Sequence, residues 1–257
     1  VLNFAHGGFY MLGAYVTLAV VSNVIDNFWI AAVVGALAVG IVGAVIEFSA
    51  IRRLYDRFDS DLDQLIVTFG FVLVIHETVR FIWGSGSYSI DPPDVFNFPV
   101  TFGGSTFNAY RLVVIGLAVA VLIGLWLFIT RTYFGSLVRG TSSDREMAAL
   151  LGVALPRLYT GGFFLGSVLA GLGGALSAPL QSTSPALGDQ VIIDAFIVVV
   201  IGGLGSMSGA FVGAMLIGMM QSLGPQFISA GSIAIPFLAM VIVLLIRPEG
   251  LFGGIGE

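Results

Sequence analysis

The sequence contains no lysine and no cysteine, and its only two histidines are His6 and His76. Without lysine it cannot form a phosphate-binding P-loop, whose lysine contacts the nucleotide phosphates. Without cysteine it has no disulfide, thiolate nucleophile or cysteine-ligated metal. Two histidines on distant segments disfavour both a multi-histidine metal site and a nucleophile–base pair for catalysis. We therefore predict that the chain is not an enzyme and carries no metal or cofactor of its own.

Charge is equally scarce. Only 10% of the 257 residues are charged and 57% are hydrophobic, whereas soluble domains carry roughly 25% charged residues. Such a chain cannot cover a water-facing surface. Its 35 glycines are typical of membrane helices, because small residues let helix backbones approach closely. We predict an all-α polytopic transmembrane helix bundle that forms a single domain over residues 1–257.

Apolar runs locate the membrane spans, each of which needs about 20 mostly apolar residues. Five segments meet this length: residues 31–51, 64–83, 112–129, 158–180 and 227–246, the last interrupted by Pro236. Three apolar segments are too short to cross comfortably: residues 8–21, 191–201 and 209–223. Because the sequence starts inside an apolar pattern, we also expect a further spanning helix ahead of Val1.

Arginine positions orient these spans, since positively charged loops lie on the cytoplasmic side. Eight arginines can share that side: Arg52, Arg53, Arg57, Arg131, Arg139, Arg145, Arg157 and Arg247. Residues 22–28, 84–110 and 181–190 are then external. The alternation holds only if the short segments on either side of residues 202–208 form a re-entrant hairpin or a broken helix. The charge pattern therefore predicts interrupted helices.

A short helix is predicted in the cytoplasmic loop 131–157. Ser143 and Glu146 have the spacing of a capping box, and Gly152 is placed to end the helix. Three apolar residues share one of its faces by their i, i+3, i+4 spacing: Met147, Leu150 and Leu151. A short helix with such a stripe, held outside the membrane, suits a groove on another protein. The alternative is an interfacial helix that lies on the lipid headgroups.

Two glycine-rich segments, residues 3–8 and 202–209, precede short apolar helices. Irregular backbone at membrane depth is tolerated only when it is buried in protein or lines a wet cavity. Glycine-interrupted segments in corresponding places of two halves indicate a translocation site. The alternative is two ordinary turns at the membrane surface. The predicted pathway residues are Asn3, His6, Gly7, Gly8, Asp194, Gly202, Gly203, Gly205 and Ser206.

Several ionisable residues fall within or beside the predicted spans. Asp194 precedes most of its short apolar segment, where it either caps a helix N-terminus or lines the pathway. Glu77 and Arg80 are three residues apart and can pair near the external end of their span. Glu47 lies near the cytoplasmic end of its span. We interpret Glu47, Glu77 and Arg80 as structural residues that reach the membrane interface.

Four segments resemble LivH-type permeases, the membrane subunits of branched-chain amino acid ABC importers. Residues 2–15 read Leu-Asn-Phe-Ala-His-Gly-Gly-Phe-Tyr-Met-Leu-Gly-Ala-Tyr, and residues 144–152 read Asp-Arg-Glu-Met-Ala-Ala-Leu-Leu-Gly. The run 202–206 and the ending 247–252, Arg-Pro-Glu-Gly-Leu-Phe, are similar to that family as well. The matches occur along the whole chain in the expected order. The Asn-Phe-Ala-His phrase favours the LivH type over the sister LivM type.

The resemblance implies a subunit of an ATP-driven importer for branched-chain or related amino acids in the prokaryotic cell (inner) membrane. Its expected partners are a LivM-like permease, two cytoplasmic ATPases that bind ATP and Mg²⁺, an external substrate-binding protein and the lipid bilayer, but no nucleic acid. The cytoplasmic helix would couple to an ATPase through Ser143, Asp144, Arg145, Glu146, Met147, Ala148, Leu150, Leu151 and Gly152. The alternative function is a secondary carrier or passive channel for a small polar solute such as urea or an amide, which needs no docking helix.

Overall fold

The computed structural model describes residues 3–53, 61–102, 105–203, 205–227 and 234–253. Arg57, one of the predicted cytoplasmic arginines, lies outside these ranges. The helices are α1 Ala5–Asn23, α2 Phe28–Ser49, α3 Asp61–Trp83, α4 Ala109–Arg131, α5 Tyr133–Ser143, α6 Arg145–Leu150, α7 Leu155–Ser177, α8 Leu187–Gly202, α9 Met207–Phe227 and α10 Ala234–Ile246. A small antiparallel hairpin, β1 Pro99–Phe102 and β2 Ser105–Asn108, precedes α4. The predicted polytopic all-α bundle is confirmed.

Six of the described helices are long and apolar enough to cross a membrane: α1, α2, α3, α4, α7 and α9. Two of these, α1 and α9, were predicted to be too short. The error arose at their ends, because α1 has 19 residues and α9 has 21 once their flanking small and polar residues are included. The prediction was right for α8, which has only 16 residues.

The predicted span 227–246 includes residues 228–233, which lie outside the described residues. Phe227 is the last residue of α9, and the described part of α10 begins at Ala234. Pro236 lies within the described part of α10.

The first of two compact units covers Val1–Gly188. Here α1 packs against both α2 and α7 through small residues. A Cβ added to Gly13 of α1 would lie 2.2 Å from the carbonyl oxygen of Gly171 in α7. A Cβ on Gly43 of α2 would lie 2.0 Å from the hydroxyl oxygen of Ser167. The three helices thus approach each other more closely than any larger residue at these positions permits.

The predicted external loops are joined at one end of this unit. Tyr88 and Thr183 exchange two backbone hydrogen bonds of 2.9 and 2.7 Å. Tyr88 and Trp83 contact Tyr15 of α1 with their rings. Tyr110, at the start of α4, donates from its hydroxyl to the carbonyl of Leu176, 2.8 Å away. Loops 84–110 and 181–190 therefore lie at the same end of the bundle, as the arginine pattern predicts.

The second unit, Asp189–Glu257, contains an antiparallel pair formed by α8 and α9. Gln221 Nε2 donates to Asp194 Oδ1 at 2.8 Å, toward the ends far from the connecting turn. Nearer the turn, a Cβ on Gly213 would lie 2.7 Å from the carbonyl oxygen of Val198. The described residues around 202–208 therefore connect two antiparallel helices, and the re-entrant or broken geometry of this connection in the membrane stays a prediction.

Candidate coupling and translocation sites

The predicted cytoplasmic loop 131–157 begins with a sharp reversal between α4 and α5. Thr132 caps α5, since its hydroxyl oxygen accepts a 3.1 Å hydrogen bond from the backbone N–H of Gly135. A Cβ on Gly135 would lie 2.0 Å from the carbonyl oxygen of Ile129, so the turn requires glycine there. The Arg139 guanidinium donates to the same carbonyl. These contacts fold α5 back against the end of α4.

Asp144 caps the N-terminus of α6, so the predicted capping box of Ser143 and Glu146 was wrong. The Asp144 carboxylate accepts a 2.8 Å hydrogen bond from the backbone N–H of Met147. Ser143 is instead the last residue of α5 and donates from its hydroxyl to the carbonyl of Arg139 at 3.3 Å. Asp144 has the extended backbone that an N-cap needs, with φ −150° and ψ 104°. Aspartate and serine cap equally well, so sequence did not separate the two neighbours.

Gly152 ends α6, as predicted. Its φ is +83°, a left-handed conformation that glycine adopts without strain. The backbone N–H of Gly152 donates to Ala149 at 3.0 Å and that of Val153 donates to Ala148 at 3.1 Å. These bonds use carbonyls that the end of α6 would otherwise leave free.

The predicted apolar stripe is present and faces away from the described part of the chain. Met147, Leu150 and Leu151 are 51%, 82% and 77% exposed, whereas Ala148 is buried. Arg145 joins α6 to the next helix, because its guanidinium lies 5.6 Å from the centre of the Tyr159 ring in α7. The helix therefore rests on the bundle through Ala148 and offers its larger apolar side chains outward.

The first glycine-rich segment ends earlier than predicted. α1 begins at Ala5, so Gly7 and Gly8 are helical and do not form a break. Asn3 supports this early start, because its side-chain oxygen accepts a 2.9 Å hydrogen bond from the N–H of Ala5. Gly8 instead makes room for α3, since a Cβ there would lie 3.2 Å from Ile75. Its small size serves helix packing.

The start of α1 lies well inside the first unit. The backbone N–H of Phe4 donates to the Thr68 hydroxyl of α3 at 3.4 Å. His6 Nε2 lies 2.8 Å from the position of a Cβ on Gly166 in α7. With a rise of 1.5 Å per residue, these contacts are about 10 Å along α3 and about 16 Å along α7 from the starts of those helices.

His6 is half-buried among aromatic rings at this depth. Its ring centre is 5.8 Å from that of Phe9 and 5.7 Å from that of Phe163. Polar side chains at membrane depth are costly and commonly mark a solute pathway. The pathway role of Asn3 and His6 stays a prediction.

The second glycine-rich segment forms the turn between α8 and α9. Gly203 and Gly205 have φ of +99° and +84°. Gly202 and Gly209 approach so closely that a Cβ on Gly209 would lie 2.0 Å from the Gly202 carbonyl oxygen. The Ser206 hydroxyl accepts a 3.0 Å hydrogen bond from the N–H of Gly209. This segment is the interruption that the sequence predicts.

Asp194 lies inside α8 and does not cap its N-terminus. It accepts a hydrogen bond from Gln221 of α9 at 2.8 Å, so the helix-cap alternative was wrong. The residues that the sequence singled out are therefore distributed over the two units. Asn3, His6, Gly7 and Gly8 belong to the first unit, whereas Asp194 and residues 202–206 belong to the second.

Glu47 was wrongly expected to reach the membrane interface. It is fully buried, and its Oε2 accepts a hydrogen bond from the Thr160 hydroxyl of α7. Thr160 was missed because this contact depends on how α2 packs on α7, which leaves no local signal. In contrast, Glu77 and Arg80 form the predicted exposed ion pair, with an N–O distance of 3.1 Å.

Comparison with known proteins adds the family. The family model described as branched-chain amino acid transport system / permease component matches residues 1–246. The chain belongs to this family. The permease is 27% identical over 265 residues to the high-affinity branched-chain amino acid transport system permease protein LivH of Salmonella typhimurium, covering 98% of this chain and 85% of that protein. No solved structure matches the permease.

Two further relatives agree with this assignment. BraD of Pseudomonas aeruginosa, a permease protein of the same kind of system, is 28% identical over 265 residues, covering 98% of this chain and 86% of BraD. LivM of Escherichia coli is 25% identical over 272 residues, covering 96% of this chain and 62% of LivM. The permease is a multi-pass protein of the inner membrane and a transport subunit, as the sequence predicts.

Proposed function

We propose that this permease is the membrane-spanning subunit of an ATP-driven importer that moves branched-chain or related amino acids from an external binding protein to the cytoplasm. One structural observation carries the proposal: α6 presents Leu150 and Leu151 more than three-quarters exposed at the predicted cytoplasmic end. The relatives are named as branched-chain amino acid transport permeases. Leucine, isoleucine and valine are accordingly the first substrates to test.

The α6 helix is proposed to insert into a groove of a cytoplasmic ATPase. Its two leucines and Met147 would fill the groove, while Glu146 and Arg145 stay at the polar rim. ATP and Mg²⁺ would bind to the ATPase, because this chain contains no lysine with which to build a P-loop. A secondary carrier or passive channel has no use for such a docking helix.

A movement of α6 can be transmitted to the interior of the first unit through side-chain contacts with α7 and α2. Arg145 stacks on Tyr159 near the start of α7. Next to it, Thr160 donates to the buried carboxylate of Glu47 in α2. α2 and α7 in turn hold α1, through close contacts such as that of Gly13. A displacement of α6 would therefore move closely packed helices as a body.

Pathway roles are proposed for polar groups of each unit, taken separately. Asn3 and His6 belong to the first unit, where His6 contacts Gly166 of α7. Asp194 and the Gly202–Ser206 turn belong to the second, where the turn contacts the segment that follows Arg247. Because Arg247 is expected at the cytoplasmic interface, the turn would line the inner mouth of the pathway.

The proposed complex contains a LivM-like permease, two ATPases and an external substrate-binding protein. The outward apolar residues of α4 suit either lipid or the second permease, since Leu112, Ile115 and Ile123 are all more than half exposed. The alternative of a carrier or channel predicts that this chain is active without any ATPase.

Copurification tests the proposal directly. We expect an ATPase encoded near this permease to copurify with the wild-type chain and to be lost with Glu146→Lys or Gly152→Trp. The matched control is Asp26→Lys, which also replaces an exposed acidic residue by lysine but lies in the connection between α1 and α2. Retention of the ATPase by both α6 variants would contradict the docking role of α6.

A further inference from the structure

The segment that follows α10 folds back onto the turn between α8 and α9. The backbone N–H of Leu251 donates to the carbonyl of Ile201 at 2.8 Å, and that of Phe252 donates to the carbonyl of Gly202 at 3.1 Å. Both carbonyls belong to the last turn of α8, where helical partners are missing. Residues 247–253, here called the C-terminal latch, thereby complete the hydrogen bonding of the α8 end.

Two glycines let the latch and the turn touch backbone to backbone. Gly203 in the turn and Gly250 in the latch both have positive φ, +99° and +84°. A Cβ on Gly250 would lie 2.6 Å from the Cα of Gly203, and a Cβ on Gly203 would lie 2.5 Å from the backbone nitrogen of Gly253. Distances under 3.0 Å leave no room for a side chain at either glycine. This backbone contact therefore requires glycine at both positions.

Arg247 holds the latch in its folded-back form. Its guanidinium donates to the carbonyl of Leu251 at 3.1 Å, and its own carbonyl accepts from the N–H of Gly250 at 3.0 Å. Leu251 then packs against the apolar core of the second unit, which includes Ile197 and Ile201. The Arg247 side chain thus fixes the segment whose Leu251 and Phe252 backbone N–H groups donate to the end of α8.

We propose that the C-terminal latch sets the geometry of the α8–α9 turn during transport, with Arg247 as its positioning residue. This inference rests on the proposed function, in which the turn lines the inner mouth of the pathway. The latch is attached by backbone hydrogen bonds and two glycines, so it holds the carbonyls of Ile201 and Gly202 in fixed directions. Releasing it would leave two helix-end carbonyls unpaired and let the turn change shape.

A cysteine reporter tests the latch without reference to transport. The chain has no cysteine, so Ile201→Cys places a single thiol at a residue that is 1% exposed beneath Leu251. In the assembled complex we expect maleimide labelling to be slow. It should become at least roughly tenfold faster with Gly250→Ala, since two hydrogen bonds are weakened.

The matched control is Gly205→Ala. Gly205 has the same φ of +84° as Gly250 but nothing within 4 Å of a Cβ position, so this variant introduces comparable backbone strain without a side-chain clash against the latch. Equal labelling rates for Gly250→Ala and Gly205→Ala would overturn the latch contact. Ser208→Cys, at an exposed position, reports whether the reagent reaches the turn at all.

Transport then tests what the latch does. We expect Arg247→Gln to lower the maximal ATP-dependent uptake rate severalfold while leaving ATPase copurification unchanged, and Arg247→Lys to restore much of the rate. Gly250→Ala, which leaves the charge of Arg247 in place, should lower the maximal uptake rate as well. Faster labelling with unchanged uptake would overturn the transport role. If wild-type uptake were independent of ATP, the proposed function would be contradicted. The labelling rates would still test whether the latch contact exists.

Discussion

Truncation of the two exposed leucines of α6 should weaken ATPase binding without destabilising the bundle. Leu150 and Leu151 are 82% and 77% exposed, so most of their surface is free to be buried by a partner. Leu→Ala removes three carbons at about 0.8 kcal/mol each, or about 2 kcal/mol per residue when four-fifths of the side chain becomes buried. Each substitution should then raise the Kd for the ATPase by about 30-fold.

The assay is titration of purified ATPase against the permease in nanodiscs, combined with thermal unfolding of each variant. Unfolding should be unchanged, because both side chains are already exposed in the free chain. Leu112→Ala in α4 is the matched control, with the same truncation at a 55% exposed residue near the predicted external end of the bundle. If both α6 variants bound the ATPase as tightly as wild type, the apolar stripe would not be the docking surface.

Three further predictions concern local structure. Asp144→Ala removes the N-cap of α6 and should cost about 1 kcal/mol of local helix stability, which hydrogen exchange across residues 145–151 would detect; unchanged protection would contradict the cap. Gly13→Ala should lower the melting temperature of the bundle because its Cβ meets α7 backbone at 2.2 Å, whereas Gly116→Ala in α4, with nothing within 4 Å, should not; equal melting temperatures would refute the close contact. Thr160→Val removes the donor to buried Glu47 and should destabilise the bundle by about 1–3 kcal/mol, measured by denaturant unfolding, and a neutral result would show that the bond contributes nothing.

Local features were predictable from sequence and were largely correct. The α6 helix follows from an acidic cap, a 3.6-residue apolar spacing and a glycine stop, all within nine neighbouring residues. Even so, the cap was assigned to Ser143 one residue early, because α5 continues through it. Whether α5 and α6 are separated by one residue or more is not encoded in the capping residues alone.

The structural role of each glycine was the least predictable feature of the sequence. Gly203 and Gly205 do break the backbone, whereas Gly7 and Gly8 lie within α1 and serve close packing. Both uses follow from the missing side chain, so the sequence alone did not distinguish them. The role of a glycine depends on the neighbouring helix. For Gly8 this neighbour is α3, whose Ile75 would meet an added Cβ.

Long-range contacts were not predictable from sequence. The burial of Glu47 depends on Thr160 being placed opposite it by the packing of α2 on α7. In the C-terminal latch, the N–H of Leu251 likewise donates to Ile201, although α9 and α10 separate the two residues in the sequence. Each contact combines residues whose individual patterns are ordinary, and it becomes visible only when the helices are placed in space.

Uptake of labelled leucine into vesicles that contain the reconstituted permease, its neighbouring subunits and the external binding protein tests the central claim most directly. The account predicts uptake that requires ATP and is abolished by Glu146→Lys on α6 but retained with Asp26→Lys. Leucine-stimulated ATP hydrolysis should fall together with the uptake. Leucine uptake that proceeds equally without ATP, with no ATPase bound to the permease, would contradict the account and establish a carrier or channel.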